Sequence, residues 1–130
     1  MGDILVLDDV LDAGVMIKRI LERKGHQVAV FTEEEAALAH ARTHPVQVAI
    51  LDIRLKKMSG VDMLQELKKL SPQTQVIMLT GYPTLETARQ SKELGAFDYC
   101  IKPIDKEELE EKVSSALAAA KEQLTTLTTR

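Results

Sequence analysis

The stretch Val46-Gln47-Val48-Ala49-Ile50-Leu51, ended by Asp52, decides the reading of this chain. It is short and apolar almost throughout, the composition of a strand covered on both faces, so it belongs at the centre of a parallel sheet. Three more short runs have the same form. Ile4-Leu5-Val6-Leu7 leads into Asp8-Asp9, Val76-Ile77-Met78-Leu79 into Thr80, and Tyr99-Cys100-Ile101 into Lys102. In a parallel α/β sheet the carboxyl ends of the strands share one edge, and ligands bind there. Three carboxylates gathered at that edge repel one another, and a cation is the usual remedy. Lys102 and a bound divalent metal would supply it.

Amphipathic stretches of helical period separate these runs, which is the pattern of repeated βα units. The expected elements are a strand at 4–7, a helix capped by Asp12 with Val15, Met16, Ile20 and Leu21 on one face, and a turn at Gly25. A second strand at 27–31 precedes a helix capped at Thr32, with Glu33-Glu34-Glu35 in its first turn, where acids favour the helix dipole. That helix stops before Pro45. After the central strand comes a loop, Ile53–Ser59, and a helix from about Val61 to Leu70. A strand at 75–79, a helix at about 84–94 ended by Gly95, a strand at 97–101 and a last helix from Asp105 past Ala120 complete the count. Five βα units with right-handed crossovers predict an α/β three-layer sandwich around a five-stranded parallel sheet of order 2-1-3-4-5.

The chain has 130 residues, a net charge of −3, 3% aromatic residues and one cysteine. These values describe one domain with a real core. They speak against a nucleic-acid surface, which needs clustered basic residues or stacking aromatics. A single cysteine excludes an internal disulfide and suits a reducing, cytoplasmic setting. The first residues do not read as a secretory leader, so none is expected before the first strand, and no apolar run approaches bilayer-spanning length.

Asp52, ending the central strand, is the nucleophile candidate, because a carboxylate can attack phosphorus to form an aspartyl-phosphate. Charge gathering on the transferring oxygens requires cations and hydrogen-bond donors. Mg²⁺ held by Asp8, Asp9 and Asp52, together with Lys102 and the Thr80 hydroxyl, would fill those roles.

In this order and spacing, Leu7-Asp8-Asp9, Leu51-Asp52, Met58-Ser59-Gly60, Leu79-Thr80-Gly81, Gly95-Ala96-Phe97-Asp98-Tyr99 and Lys102-Pro103 resemble the receiver (CheY-like) domains of two-component response regulators over about residues 3–120. The resemblance implies a flavodoxin-like fold and a phosphorylation-activated switch. Asp52 would accept a phosphoryl group from a phosphohistidine on a sensor histidine kinase or a phosphotransfer protein. Asp8, Asp9 and Asp52, with the backbone carbonyl of Arg54, would hold Mg²⁺. Thr80 and Lys102 would bond the phosphoryl group, and Tyr99 would turn inward as Thr80 moves. The signal would leave through helix four, strand five and helix five, a face that can also form a homodimer. Such a domain is a phosphoacceptor and not an enzyme acting on a separate substrate. It does not bind nucleic acid or membrane itself, and an output domain, a transcription factor among the options, can be covalently linked to it. Residues 1–120 would form the receiver and 121–130 a helical linker. The resemblance also allows a cis bond before Pro103. The variable positions two residues beyond Asp52 and Thr80 are Arg54 and Tyr82, and a bulky ring there would slow hydrolysis of the aspartyl-phosphate.

Three other readings compete. An interaction module of the same fold would not need the five site residues. A phosphohydrolase with an aspartate nucleophile would carry a second acid two residues later, where Arg54 stands. A flavin-binding domain would need a phosphate-cradling loop after strand one. Elsewhere, His40 and His44 have the i, i+4 spacing of a metal pair without an evident third ligand. Cys100 reads as a core residue. Val113, Leu117, Ala120, Leu124 and Leu127 step as a heptad seam, which predicts a helix that dimerises or leads onward.

Overall fold

The computed structural model describes the backbone of residues 2–55 and 57–128, and side chains as far as residue 122. Strands β1 (Asp3–Leu7), β2 (Gln27–Phe31), β3 (Val48–Leu51), β4 (Gln75–Thr80) and β5 (Asp98–Ile101) alternate with helices α1 (Leu11–Glu22), α2 (Glu34–Thr43), α3 (Gly60–Leu70), α4 (Leu85–Glu93) and α5 (Lys106–Thr128). The strands form one sheet of order β2-β1-β3-β4-β5, and every pairing is parallel.

Alternation along each strand builds two cores. Ile4, Val6, Val48, Ile50, Ile77 and Leu79 face one side and pack with Ile17 and Leu21 of α1 and Leu109, Val113 and Leu117 of α5. Leu5, Leu7, Ala49, Leu51, Val76 and Met78 face the other and pack with Ala37 of α2 and Met63, Leu64 and Leu67 of α3. All four residues of β3 are buried, as an apolar central strand requires. Cys100 is buried in the first of these cores.

Several local expectations are corrected. α1 begins at Leu11, with Val10 as its N-cap and no side-chain cap bond, so Asp12 lies inside the helix. The helix buries Gly14, Ile17 and Leu21; Ile20 packs partly buried against that core, and Met16, expected on the inner face, is 65% exposed. The cap of α2 is Glu33, also without a side-chain cap bond, and not Thr32. Ser59 caps α3 by accepting from the Asp62 N–H, so Gly60 is the first residue of that helix. Gly25 and Gly95, at the expected helix ends, have φ of 89° and 90°, the left-handed region that favours glycine. Val113, Leu117 and Ala120 of the heptad seam are buried within the domain, whereas the side chains of Leu124 and Leu127 lie outside the described residues.

α4 is the least anchored helix. Ser91 is its one buried residue, and Leu85 is 84% exposed.

Candidate phosphoacceptor site

Asp8, Asp52, Thr80 and Lys102 stand at the carboxyl ends of β1, β3, β4 and β5, which are consecutive in the sheet. The sheet therefore brings together side chains that are up to 94 residues apart. Asp8, Asp9 and Asp52 each turn one carboxylate oxygen into a space where these atoms lie within 4.8 Å of one another. Asp8 and Asp9 are adjacent but point together because the chain leaves the strand between them and α1. Asp8 is 2% exposed. Its Oδ1 accepts from the Val10 N–H at 2.9 Å, and its Oδ2 accepts from Lys102 Nζ at 2.8 Å. Lys102 Nζ also reaches Asp52 Oδ2 at 3.3 Å.

Burial raises the Asp52 carboxyl above its ordinary range. Lys102 opposes that shift, Asp8 adds to it, and the Arg54 N–H, bonded to Asp52 Oδ1 at 3.2 Å, opposes it. For Lys102, burial works against the charged form but is outweighed by the hydrogen bond and charge of Asp8 and by Asp52, so the ammonium is held more firmly than usual. The donor set is oxygen only and mostly anionic, with room for a hard dication, so it fits Mg²⁺.

Thr80 is fully buried, and its Oγ1 accepts from the Tyr82 N–H at 2.9 Å. Its carbonyl accepts from the Lys102 N–H at 2.8 Å, which ties the ends of β4 and β5 together. Thr80 makes no side-chain bond to Asp52 or Lys102 among the described residues. The Lys102–Pro103 peptide is cis. Tyr99 points away from Thr80: its hydroxyl pairs with Thr87 Oγ1 at 2.8 Å and accepts from the Thr84 N–H at 3.4 Å. Thr84 is the N-cap of α4, so Tyr99 is fastened to the first turn of that helix.

The loop between β3 and α3 approaches the site closely. Arg54 pairs with Ser59 in an isolated antiparallel bridge, and the Gly60 N–H bonds the Ile53 carbonyl at 2.7 Å. A Cβ at Gly60 would run into the backbone carbonyl of Asp52, so the main chain of Asp52 rests on this glycine. The Arg54 guanidinium lies 3.9 Å from the centroid of the Tyr82 ring, bridging the β3–α3 and β4–α4 loops. Sequence reasoning singled out both residues but gave no sign that they touch. It also missed Glu34, which is wholly buried, because three consecutive glutamates read as an exposed helix start. His40 and His44 stack with ring centroids 4.2 Å apart, and among the described residues no third ligand joins them.

A parallel five-stranded sheet with a carboxylate triad, a lysine and a threonine at one edge defines a phosphoryl-accepting signalling switch. The family model for the response regulator receiver domain matches residues 4–114. The transcriptional regulatory protein ZraR of Salmonella typhimurium is 34% identical over 120 residues, which is 92% of this chain and 27% of that protein. The chain thus spans about a quarter of the length of that curated relative. A CheY-like receiver domain from Methanospirillum hungatei superposes with a TM-score of 0.91 at 32% identity, covering 95% of this chain and 98% of that one. NtrX from Brucella abortus gives 0.92 at 30% identity over 99% of this chain and 30% of that protein. This chain belongs to the receiver domains of two-component response regulators. Such domains are regulatory phosphoacceptors, and they bind Mg²⁺ through acidic residues of the kind clustered here. No described helix is long and apolar enough to cross a membrane.

Proposed function

We propose that Asp52 is the phosphoacceptor and that Asp8, Asp9, Asp52 and the Arg54 carbonyl hold Mg²⁺. The observation that carries this reading is the convergence of three carboxylates within 4.8 Å, with Lys102 Nζ 3.3 Å from Asp52. An Asp52 oxygen attacks phosphorus on the phosphohistidine of a sensor kinase or phosphotransfer protein. The P–N bond breaks, and the imidazole leaves with the electron pair and takes up a proton. Lys102 and the Thr80 hydroxyl face the phosphoryl oxygens that result. Mg²⁺, when bound, offsets the negative charge of the transferring group. Because the acceptor is the domain's own side chain, the chain is a switch and not an enzyme with a separate substrate.

An apolar groove lined by Ala13, Met16, Ile20, Pro103 and Ile104 opens beside Lys102, which supports seating of the phosphodonor's helix there. Output is assigned to α4, β5 and α5. Exposed Leu85 and Ile101, with the Asp98–Lys112 pair at 2.7 Å, give that face both apolar and charged contacts for a homodimer or another partner. Residues 1–120 act as the receiver, and the stretch from 121 onward connects to an output domain such as that of a transcriptional regulator. The run of α5 to Thr128 without a break supports this assignment. The setting is cytoplasmic.

Intact-mass measurement with Mg²⁺ and acetyl phosphate tests the reading. One added phosphoryl group is expected, lost in Asp52→Ala and without metal. No adduct on the unaltered chain would overturn it.

A further inference from the structure

The buried carboxylate of Glu34 has no part in the chemistry above, yet its place in the fold is unusual. Glu34 is the first residue of α2 and is 0% exposed. Its Oε2 accepts from the Lys57 N–H at 3.0 Å, while its Oε1 has no partner among the described residues. The positive end of the α2 dipole favours a negative charge at this position. Even so, a buried carboxylate with one oxygen unsatisfied costs stability relative to an apolar side chain of the same shape. A group retained at such a cost is best explained by what it holds.

What it holds is the phosphoacceptor loop. Lys57 lies between Arg54 and Ser59, the two residues joined by the bridge, and Gly60 then closes the loop on Ile53. On the inner side the loop is pinned by the Arg54 N–H on Asp52 Oδ1. On the far side its tie to the body of the domain runs 23 residues back along the chain, to Glu34. We infer that Glu34 is a positioning residue: by anchoring the Lys57 amide it fixes the β3–α3 loop, and with it the Arg54 carbonyl offered to the metal. The inference rests on the Mg²⁺ reading proposed above. It assigns α2 a role in site geometry, although none of its residues reaches the carboxylate cluster.

The test uses the full chain with Glu34→Leu, which keeps volume but removes the acceptor, and Glu34→Gln, which keeps an oxygen acceptor and removes the charge. Amide hydrogen exchange at residues 57–60 without metal, Mg²⁺ affinity by calorimetry, and urea denaturation are read together. Glu34→Leu is expected to be at least as stable as the unaltered chain, to exchange the Lys57 amide at least about tenfold faster, and to bind Mg²⁺ about tenfold more weakly, the lower end for loss of an outer-shell partner. Glu34→Gln is expected to recover most of both. Unchanged affinity and Lys57 protection in Glu34→Leu would overturn the inference. So would global unfolding of that variant, which would make the role structural, or a Gln variant as impaired as Leu. If the unaltered chain binds no Mg²⁺, the metal reading itself fails, and the exchange comparison still decides whether Glu34 anchors the loop.

Discussion

Replacing Asp52, the proposed phosphoacceptor, by asparagine should make the metal-free domain more stable, although it destroys the proposed function. Among the described residues, Asp52 has two carboxylate neighbours, Asp8 and Asp9, no farther than 4.8 Å, and one cation, Lys102, at 3.3 Å. At an effective dielectric of about 20, each like pair costs roughly 3.5 kcal/mol and the lysine returns roughly 5. The ionised Asp52 is thus left with a net penalty of about 2 kcal/mol in the folded state. Its raised carboxyl pKa has the same sign. A folded value above the unfolded one means that the native state holds the proton more tightly. The penalty is therefore absent below the unfolded carboxylate range and complete once pH exceeds the folded value. Asparagine removes the charge and keeps the Oδ1 acceptor for the Arg54 N–H. Urea denaturation in EDTA at neutral pH should give Asp52→Asn about 1–2 kcal/mol over the unaltered chain, allowing for partial solvent screening. That gain should fade as pH falls through the carboxylate range. With Mg²⁺ at 100 times its Kd, the unaltered chain should gain about 2.7 kcal/mol and the order should reverse. An asparagine variant less stable than the unaltered chain in EDTA at neutral pH would refute the charge accounting.

Among the described residues, Lys102 is the one cation paired with both Asp8 and Asp52, and Lys102→Met should cost about 2–3 kcal/mol at neutral pH. Because the folded lysine pKa is raised, this contribution is complete below the ordinary lysine range and is lost only as pH climbs through the folded value, which denaturation across neutral and alkaline pH can follow. Gly60→Ala forces a methyl against the Asp52 carbonyl and should cost at least about 2 kcal/mol while slowing acetyl-phosphate labelling; an alanine variant labelled at the normal rate would show that the loop yields freely. Tyr82→Ala removes the ring under Arg54 and should shorten the lifetime of the aspartyl-phosphate several-fold in a mass-spectrometric decay series, about a factor of ten if the full 1.4 kcal/mol of a good cation–π contact is spent shielding the phosphorus. Tyr99→Phe loses the bond to Thr87 and should lower stability by about 1 kcal/mol and speed hydrogen exchange in the first turn of α4, both measurable without phosphorylation.

The sheet and the carboxylate cluster were legible in the sequence for one reason. A buried parallel strand is a short apolar run, and the residue ending it sits at the functional edge whatever the loops do. Asp8, Asp52, Thr80 and Lys102 are all such residues. Helix starts were less legible, because Val10 and Glu33 cap through backbone conformation alone while Asp12 and Thr32 have the better capping side chains. Met16 read as core because its side chain is apolar, but it sits off the stripe of Gly14, Ile17 and Leu21 and faces solvent. Glu34 and the Arg54–Tyr82 stack were illegible because each depends on where two loops meet, which no local pattern encodes.

Asp8, Asp52 and Thr80 share a small local device: each uses a side-chain oxygen to hold the amide two residues ahead, on Val10, Arg54 and Tyr82 respectively. The atoms that would handle a phosphoryl group are therefore also the latches of the three loops around it. A latch cannot serve two masters at full strength. A Thr80 oxygen that swings toward an incoming group lets go of the Tyr82 amide, and the peptide leading into α4 is unfastened by the same stroke. Were Thr80 to respond in this way, chemical state and loop geometry would be written in a single hydrogen bond, and the message would need no separate messenger to leave the site.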